Sequence, residues 1–302
     1  MVYLKIALIV LFIIFFFFFV PFRMVCLHPL LSAYYGITDV FFYFYHKKYN
    51  NFPSGKFNAY DSSSGVVFGS GKTLSCVHQV LQDYKKYNNK LVWDSKKKKF
   101  VVQELHILSN ISFTQIPYEK LVNLGQIVKL CEKYKYLEDE KKHCILVIID
   151  ECQNQLHCRS FKDNISPMML KQLTECRHFN MSIYYDSPRF NQVDALLRQC
   201  TSLNIKCRKL WRIQLQKVYD AQSVDNASND IEKLKPIKRT AFFIRNDLFD
   251  AYDSYEVVNN LIKAKDRNDI ITDAEILNLQ QNSENVVNFN VPKKLKIKGV
   301  KK

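Results

Sequence analysis

A doubly wound, mostly parallel α/β sheet flanked by helices, with a hydrophobic segment ahead of it, is the fold class this sequence predicts. Three observations predict it. The glycine-containing run Gly69-Ser70-Gly71-Lys72-Thr73 leads into a stretch of helical composition from Leu74 to Tyr84. The continuous apolar run Cys144-Ile145-Leu146-Val147-Ile148-Ile149 stops at the acidic pair Asp150-Glu151, as a strand buried on both faces of a parallel sheet does. Elsewhere, short β-branched runs alternate with helical stretches, the pattern of a sheet covered on both faces. A ligand of such a sheet belongs at the carboxyl ends of its strands.

The chain begins with fifteen uninterrupted apolar residues, Ile6 to Val20, five of them consecutive phenylalanines, between Lys5 and Arg23. A membrane span needs about 17–25 such residues. A second apolar stretch, Leu30 to Tyr45, carries Gly36 and Asp39 and ends in His46-Lys47-Lys48. Residues 1–49 therefore read as a membrane hairpin, as a signal peptide, or as an upstream extension before a true start at Met24. Lys47 and Lys48 favour the hairpin with both ends in the cytoplasm, because cytoplasmic flanks carry the basic excess. The alternative is that Leu30 to Tyr45 packs as an amphipathic element on the domain.

Residues 50–220 carry the core. Lys56 to Tyr60 reads as a short strand and Asp61 to Gly65 as a turn. Nucleoside triphosphate chemistry asks for backbone amides that approach the phosphates, a cation for their oxygens and a hydroxyl for Mg2+. Gly69, Ser70 and Gly71, then Lys72, Thr73 and Leu74, supply a cradle of that kind, with a helix from Lys72 aiming its positive end at the anion. The full pattern wants glycine at position 66, where Val66 stands, with Gly65 one place early. Asp150 and Glu151 at the end of the apolar strand suit an Mg2+-linked carboxylate and a base that activates water. ATP and Mg2+ are thus the expected ligands: Gly69 to Leu74 for the nucleotide, Thr73 and Asp150 for the metal, Lys72 and Glu151 for the chemistry.

Other elements follow from local pattern. Leu91–Trp93 and Phe100–Val102 flank Lys96 to Lys99, a hairpin with a basic tip that either faces solvent or meets nucleic-acid phosphates. Glu104 to Asn110 reads as a strand, and a helix is expected from Ile116-Pro117-Tyr118 to Tyr136. Beyond Asp150 come a helix from Pro167 to Arg177, a strand at Met181–Tyr185, a helix at Val193–Cys200 and a strand at Ile205–Trp211. Residues 221–290 form a polar extension with an edge strand at Ala241–Ile244 and helices at Asp253–Lys263 and Asp273–Gln280. Residues 291–302 are a basic tail.

A net charge of +15 over 302 residues points to an anionic partner, although the abundance of Lys, Asn, Phe, Tyr and Ile also fits AT-rich coding. Nine cysteines, without a C-x-x-C pair and mostly within apolar runs, read as reduced buried thiols, and suggest neither a zinc site nor a disulfide framework.

With these residues in view, the stretch from Lys56 to Arg212 resembles the zonular occludens toxin-like ATPases, filamentous-phage assembly proteins of the FtsK–HerA superfamily. FGSGKTLS, LSNISF followed by IPYEKL, VIIDE, and RHFNMSIYYDSPRFNQVDALLRQ carry the likeness. The resemblance implies a P-loop ATPase at the inner membrane, its ATPase domain in the cytoplasm, that moves DNA, single-stranded DNA above all, into an assembling particle. It implies a homo-oligomeric ring working with phage or secretion assembly proteins. Lys72 and Thr73 would be phosphate and Mg2+ ligands, Asp150 the metal-linked carboxylate and Glu151 the base. Where the superfamily often places a sensor glutamine, Asp186-Ser187-Pro188 stands. Arg159, Arg177, Arg189 and Arg198 are the candidates for an arginine finger given to a neighbouring subunit. Apolar segments that precede the motor also fit conjugation-type coupling ATPases, and Val66 with the missing glutamine also fits a non-hydrolysing nucleotide-binding scaffold.

Overall fold

The computed structural model describes residues 2–62, 69–95, 97–122, 124–135, 137, 139–154, 156, 174–227 and 234–253. Gly65 and Val66, Arg159, most of the helix expected from Pro167, the helices expected after Asp253 and the basic tail lie outside them. The chain divides into two units, Met1–Asn51 with Leu91–Val101, and Phe52–Lys90 with Val102–Lys302.

The first unit contains helices α1 (Val2–Phe18), α2 (Val20–Leu27) and α3 (Pro29–Tyr45). Proline sits in the first turn of both α2 and α3, where its missing N–H costs nothing and its fixed φ suits a helix start. Pro21 thus opens a new helix where the sequence suggested one continuous span. Among the described residues no single helix is long and apolar enough to cross a membrane; α1 and α2 meet that requirement only together, across a 104° bend. The end of α3 is fixed locally: the His46 ring stacks on Trp93 with centroids 4.5 Å apart, and the His46 carbonyl accepts from the Trp93 amide. Trp93 lies on β2 (Lys90–Asp94).

The second unit is built on one sheet. Its strands are β1 (Phe57–Ser62), β3 (Lys99–Ser109, in this unit from Val102 on), β5 (Glu119–Lys120), β6 (Lys142–Ile149), β7 (Met181–Asp186), β8 (Leu203–Leu210), β9 (Ile213–Asp220) and β10 (Lys238–Phe243). They run in the order β10-β9-β8-β1-β7-β6-β3, with β5 beside β3. The pairs from β8 to β5 are parallel, and β9 and β10 add antiparallel strands at one edge. A small ladder joins β4 (Ser112–Phe113) to β11 (Tyr252–Asp253).

Burial follows from this order. The last six residues of β6 are all buried, because helices cover both faces. On one face α4 (Lys72–Tyr87) sets Leu74, Val77, Val80 and Leu81 against Leu146, Ile148 and Tyr184. On the other, α5 (Gly125–Lys135), α6 (Ala195–Cys200) and α7 (Ala221–Ala227) cover Ile145, Val147, Ile149 and Ile183. Tyr184 donates its hydroxyl to Asp83 at 2.8 Å, pinning α4 to β7. The doubly wound sheet inferred from the β–α alternation is the observed architecture.

Three expectations need correction. Phe100–Val102 and Glu104–Asn110 are one strand, β3, whose near-alternating burial continues through Gln103. The helix expected from Ile116 starts at Gly125 instead; Pro117 precedes an extended segment in which the Leu121 amide bonds the Ser109 carbonyl. Finally, Ile213–Asp220 is a full strand where none was expected; Ile213-Gln214-Leu215-Gln216 alternates with the period of a strand, but Gln214 is the buried residue while Ile213 and Leu215 are exposed. A short helix, α8 (Asn246–Phe249), follows β10.

Candidate nucleotide and metal site

The loop and α4 meet at Gly71, whose φ of 78° is left-handed, as is that of Gly69 at 70°. Glycine is needed at position 71 for a second reason: a Cβ there would collide with the side-chain oxygen of Gln214 from β9. Gln214 is fully buried and donates from Nε2 to the Ser70 carbonyl at 3.0 Å. The Ser70 and Ser62 hydroxyls lie 3.2 Å apart. The loop is therefore tied to β1 on one side and β9 on the other, which fixes where its amides and the N-terminus of α4 can present to an anion. Lys72 is only 8% exposed, and no carboxylate among the described residues pairs with its ammonium.

The carboxyl ends of β6 and β7 supply the acids. Thr73 Oγ1 lies 2.9 Å from Asp150 Oδ1 and 2.8 Å from Asp186 Oδ2. One hydroxyl proton serves only one of these acceptors at a time. Asp186 Oδ1 also accepts the Glu151 amide at 2.8 Å. Burial first, and then Asp186, hold the Asp150 carboxyl well above the usual carboxylate range. The same two acids, after burial, help push the Tyr252 phenol up to about 12. Two buried carboxylates converging on one hydroxyl form a hard oxygen donor set that suits Mg2+. Glu151 stands just beyond, with φ of 50°, and its carboxylate accepts a hydrogen bond from Gln153 Nε2.

The structure brings together Ser70, Gly71, Lys72, Thr73, Asp150 and Glu151, with Gly69 in the same loop and Leu74 packed in the core beneath it. Three residues that the sequence reading gave no role in the site belong with them. Asp186 lies where a sensor was expected, and bridges Thr73 to Glu151. Asn110, just past β3, clamps Asp150 by a reciprocal pair: Asp150 N donates to Asn110 Oδ1 at 2.8 Å, and Asn110 Nδ2 to the Asp150 carbonyl at 2.9 Å. Gln214 is the third. Asp186 stands at the place where the resemblance sets a sensor; Asn110 and Gln214 depend on the strand order.

The described arginine candidates separate. Arg177 packs its side chain on Gly55, whose amide bonds Met181 at the amino end of β7. Arg198 is engaged by Asp225 at 2.7 Å and by the Val193 carbonyl. Arg189 is exposed and lies three residues past Asp186, at the carboxyl side.

A family model, Zonular occludens toxin (Zot), matches residues 64–258. No curated protein matches the chain. Among solved structures, the N-terminal domain of zonular occludens toxin from Neisseria meningitidis aligns at 16% identity and a TM-score of 0.42, over 66% of this chain and 98% of that one. The genome packaging NTPase B204 from Sulfolobus turreted icosahedral virus 2, in complex with ATP-gammaS, aligns at 13% identity and 0.37, over 63% and 98%. EssC (ATPases 2 and 3) from Geobacillus thermodenitrificans aligns at 13% and 0.34, over 77% and 45%. The family match takes in the phosphate loop and the acids of β6 and β7 alike, and it spans more than half of the chain, so the chain belongs to the zonular occludens toxin (Zot) family.

Proposed function

We propose that this chain is an ATP-hydrolysing motor of phage particle assembly that moves DNA, single-stranded DNA in preference, as a ring of identical subunits. The observation that carries the ATPase reading is the Thr73 hydroxyl held between Asp150 and Asp186 at the start of α4. The name of a similar structure, a viral genome packaging NTPase, supports the direction of this reading. The chain's charge of +15 supports an anionic polymer as cargo.

In this mechanism the amides of Gly69 to Thr73 and the Lys72 ammonium bind the β- and γ-phosphates. Thr73, Asp150 and Asp186 would hold Mg2+, which when bound neutralises developing charge on the phosphate oxygens. Glu151 orients the attacking water and takes its proton at the carboxylate. Asp186 acts on the same step from behind, by fixing the Glu151 amide. Arg189 is the arginine given to the neighbouring subunit; it is the described candidate that is exposed at the correct end of the sheet.

The membrane is part of the proposal. α1 to α3 expose Phe12, Phe15, Leu30, Ile37 and Phe41 among other large apolar side chains, and such helices associate with a bilayer. The motor would then work at the cytoplasmic face of the inner membrane with phage or secretion assembly proteins. A second reading, a conjugation-type coupling ATPase, draws support from the position of these helices ahead of the core.

The test is ATP turnover by the full chain, with and without single-stranded DNA, beside Glu151→Gln. The expected result is DNA-stimulated turnover that falls about 100- to 10,000-fold in the variant while nucleotide binding persists. Binding without turnover under either condition would overturn the motor in favour of a nucleotide-binding scaffold.

A further inference from the structure

The opposite end of the same strands holds a second cluster. Glu104 and His106 alternate on β3, and His143 lies on β6 in direct register with Glu104. One donor atom from each of the three falls within 4.8 Å of the others. His106 Nε2 and His143 Nδ1 face each other at 2.8 Å, and Glu104 Oε2 lies 3.9 Å from His143 Nδ1. Each ring is held from its far side. His143 Nε2 lies 2.7 Å from Asp139 Oδ2, and His106 Nδ1 lies 3.2 Å from the Tyr134 hydroxyl, with Tyr134 stacked on the His106 ring.

We propose that Glu104, His106 and His143 form a site for a divalent transition-metal ion of the Zn2+ class, tying β3 to β6 at the amino end of the sheet. The cysteines suggested no zinc site; two histidines and a glutamate supply one instead. Tetrahedral Zn2+ at ordinary bond lengths sets its nitrogen ligands about 3.4 Å apart, between the two separations found here. The outer contacts are those that metal-bound histidines make: a carboxylate on His143 and a hydroxyl on His106, which fix the tautomers. With Asp139 taking the Nε2 proton, His143 presents a lone pair at Nδ1.

The proton balance needs only His106. Without metal, its Nε2 proton bridges to His143 Nδ1, and Tyr134 donates to Nδ1. With metal, that proton moves to Nδ1 and is donated to Tyr134, and both facing nitrogens become ligands. Glu104 exchanges its contact with Lys141, 3.1 Å away and more than half exposed, for the ion. Access comes from a cavity of about 320 Å³ lined by Glu104, His106, Tyr84, Asn88 and Glu119. Ile149 lies six steps along β6 from His143, so the cluster stands about 20 Å from the nucleotide end.

The experiment uses the full chain, with no histidine tag, stripped with chelator and titrated with Co2+ followed by visible absorption, then with Zn2+ as competitor. One equivalent of Co2+ giving d–d bands that Zn2+ abolishes is the expected result. His106→Gln and His143→Gln should lose binding by 100-fold or more, and Asp139→Asn by about 10- to 100-fold. Glu104→Gln, at a partly exposed position that keeps the fold, should weaken binding about tenfold, and Lys141→Ala should not weaken it. ATP binding should persist in all five variants, which also reports that they fold. A wild-type chain that takes up neither ion at micromolar concentration overturns the proposal, as does undiminished uptake by His106→Gln or Glu104→Gln.

Discussion

The two ends of β6 carry opposite chemistry. At the carboxyl end Asp150 and Glu151 meet Thr73 and Asp186, hard oxygen donors around a phosphate cradle. At the amino end His143 meets His106 and Glu104, a softer set held by Asp139 and Tyr134. Both ends use the same device. Parallel neighbours put side chains from β3 and β7 beside those of β6, so each cluster joins residues far apart in sequence. They differ in their backing. Asp150 and Asp186 are buried and sit at the start of a helix, where the backbone adds positive potential; the imidazoles rest on side-chain partners. This difference suits one end to a charged, exchanging ligand and the other to a resident ion.

The change with the largest expected effect on this contrast is Lys72→Ala. It should weaken ATP binding about 100-fold or more, since a charge-assisted contact and a buried counter-charge are lost together. Metal uptake at the histidine end should remain unchanged. Calorimetry with ATPγS and Co2+ titration on one preparation report both; loss at both ends would mean that the ends are not independent.

Next comes Asp186→Asn, which keeps the shape and the acceptor for Glu151 N but removes a charge. Mn2+ affinity, read by electron paramagnetic resonance, should fall about tenfold or more, as expected when a charged ligand is lost. Equal Mn2+ affinity in the variant would restrict Asp186 to positioning Glu151. Asn110→Ala tests the clamp behind Asp150. Leaving the buried Asp150 amide unpartnered should cost about 1–3 kcal/mol of stability, seen as a lower midpoint in urea melts.

The smallest effect concerns pH. Asp61, on β1 ahead of the loop, is buried, and burial raises its carboxyl to about 6 despite Lys206 at 3.4 Å. A carboxyl raised in the folded state binds its proton more tightly there than in the unfolded chain. Its favourable contribution is therefore complete below about 4 and is lost as pH rises through 6. Thermal melts of the nucleotide-free, metal-free chain should show a stability component that grows from pH 7 towards pH 5, reduced in Asp61→Asn. A slope unchanged in that variant would assign the effect elsewhere.

How much of this was legible in the sequence depends on how local each signal is. GSGKT announces itself because glycine, lysine and threonine must be adjacent for the loop to work, and the strand before Asp150 because burial on both faces leaves no polar position in it. The start of α5 was misplaced because Leu121, Leu124 and Ile127 carry apolar spacing although the first of them is extended. Asn110 and the histidine cluster were not legible as sites, and Asp186 only as the place where a sensor was expected: their roles arise from the order β1-β7-β6-β3, and no spacing along the chain encodes a neighbour more than thirty residues away. Gln214 was not legible either, since the alternation Ile213-Gln214-Leu215-Gln216 sets it on the polar face although it is the buried residue.

The most direct test of the central claim, that Thr73, Asp150 and Asp186 form the Mg2+–nucleotide site, is ATPγS binding to the full chain in Mg2+ and in EDTA, measured by calorimetry for wild type, Thr73→Ala and Asp150→Asn. The account predicts one nucleotide per chain, bound about tenfold or more tightly with Mg2+, with that advantage lost in both variants. An Mg2+ advantage that survives in both would contradict it.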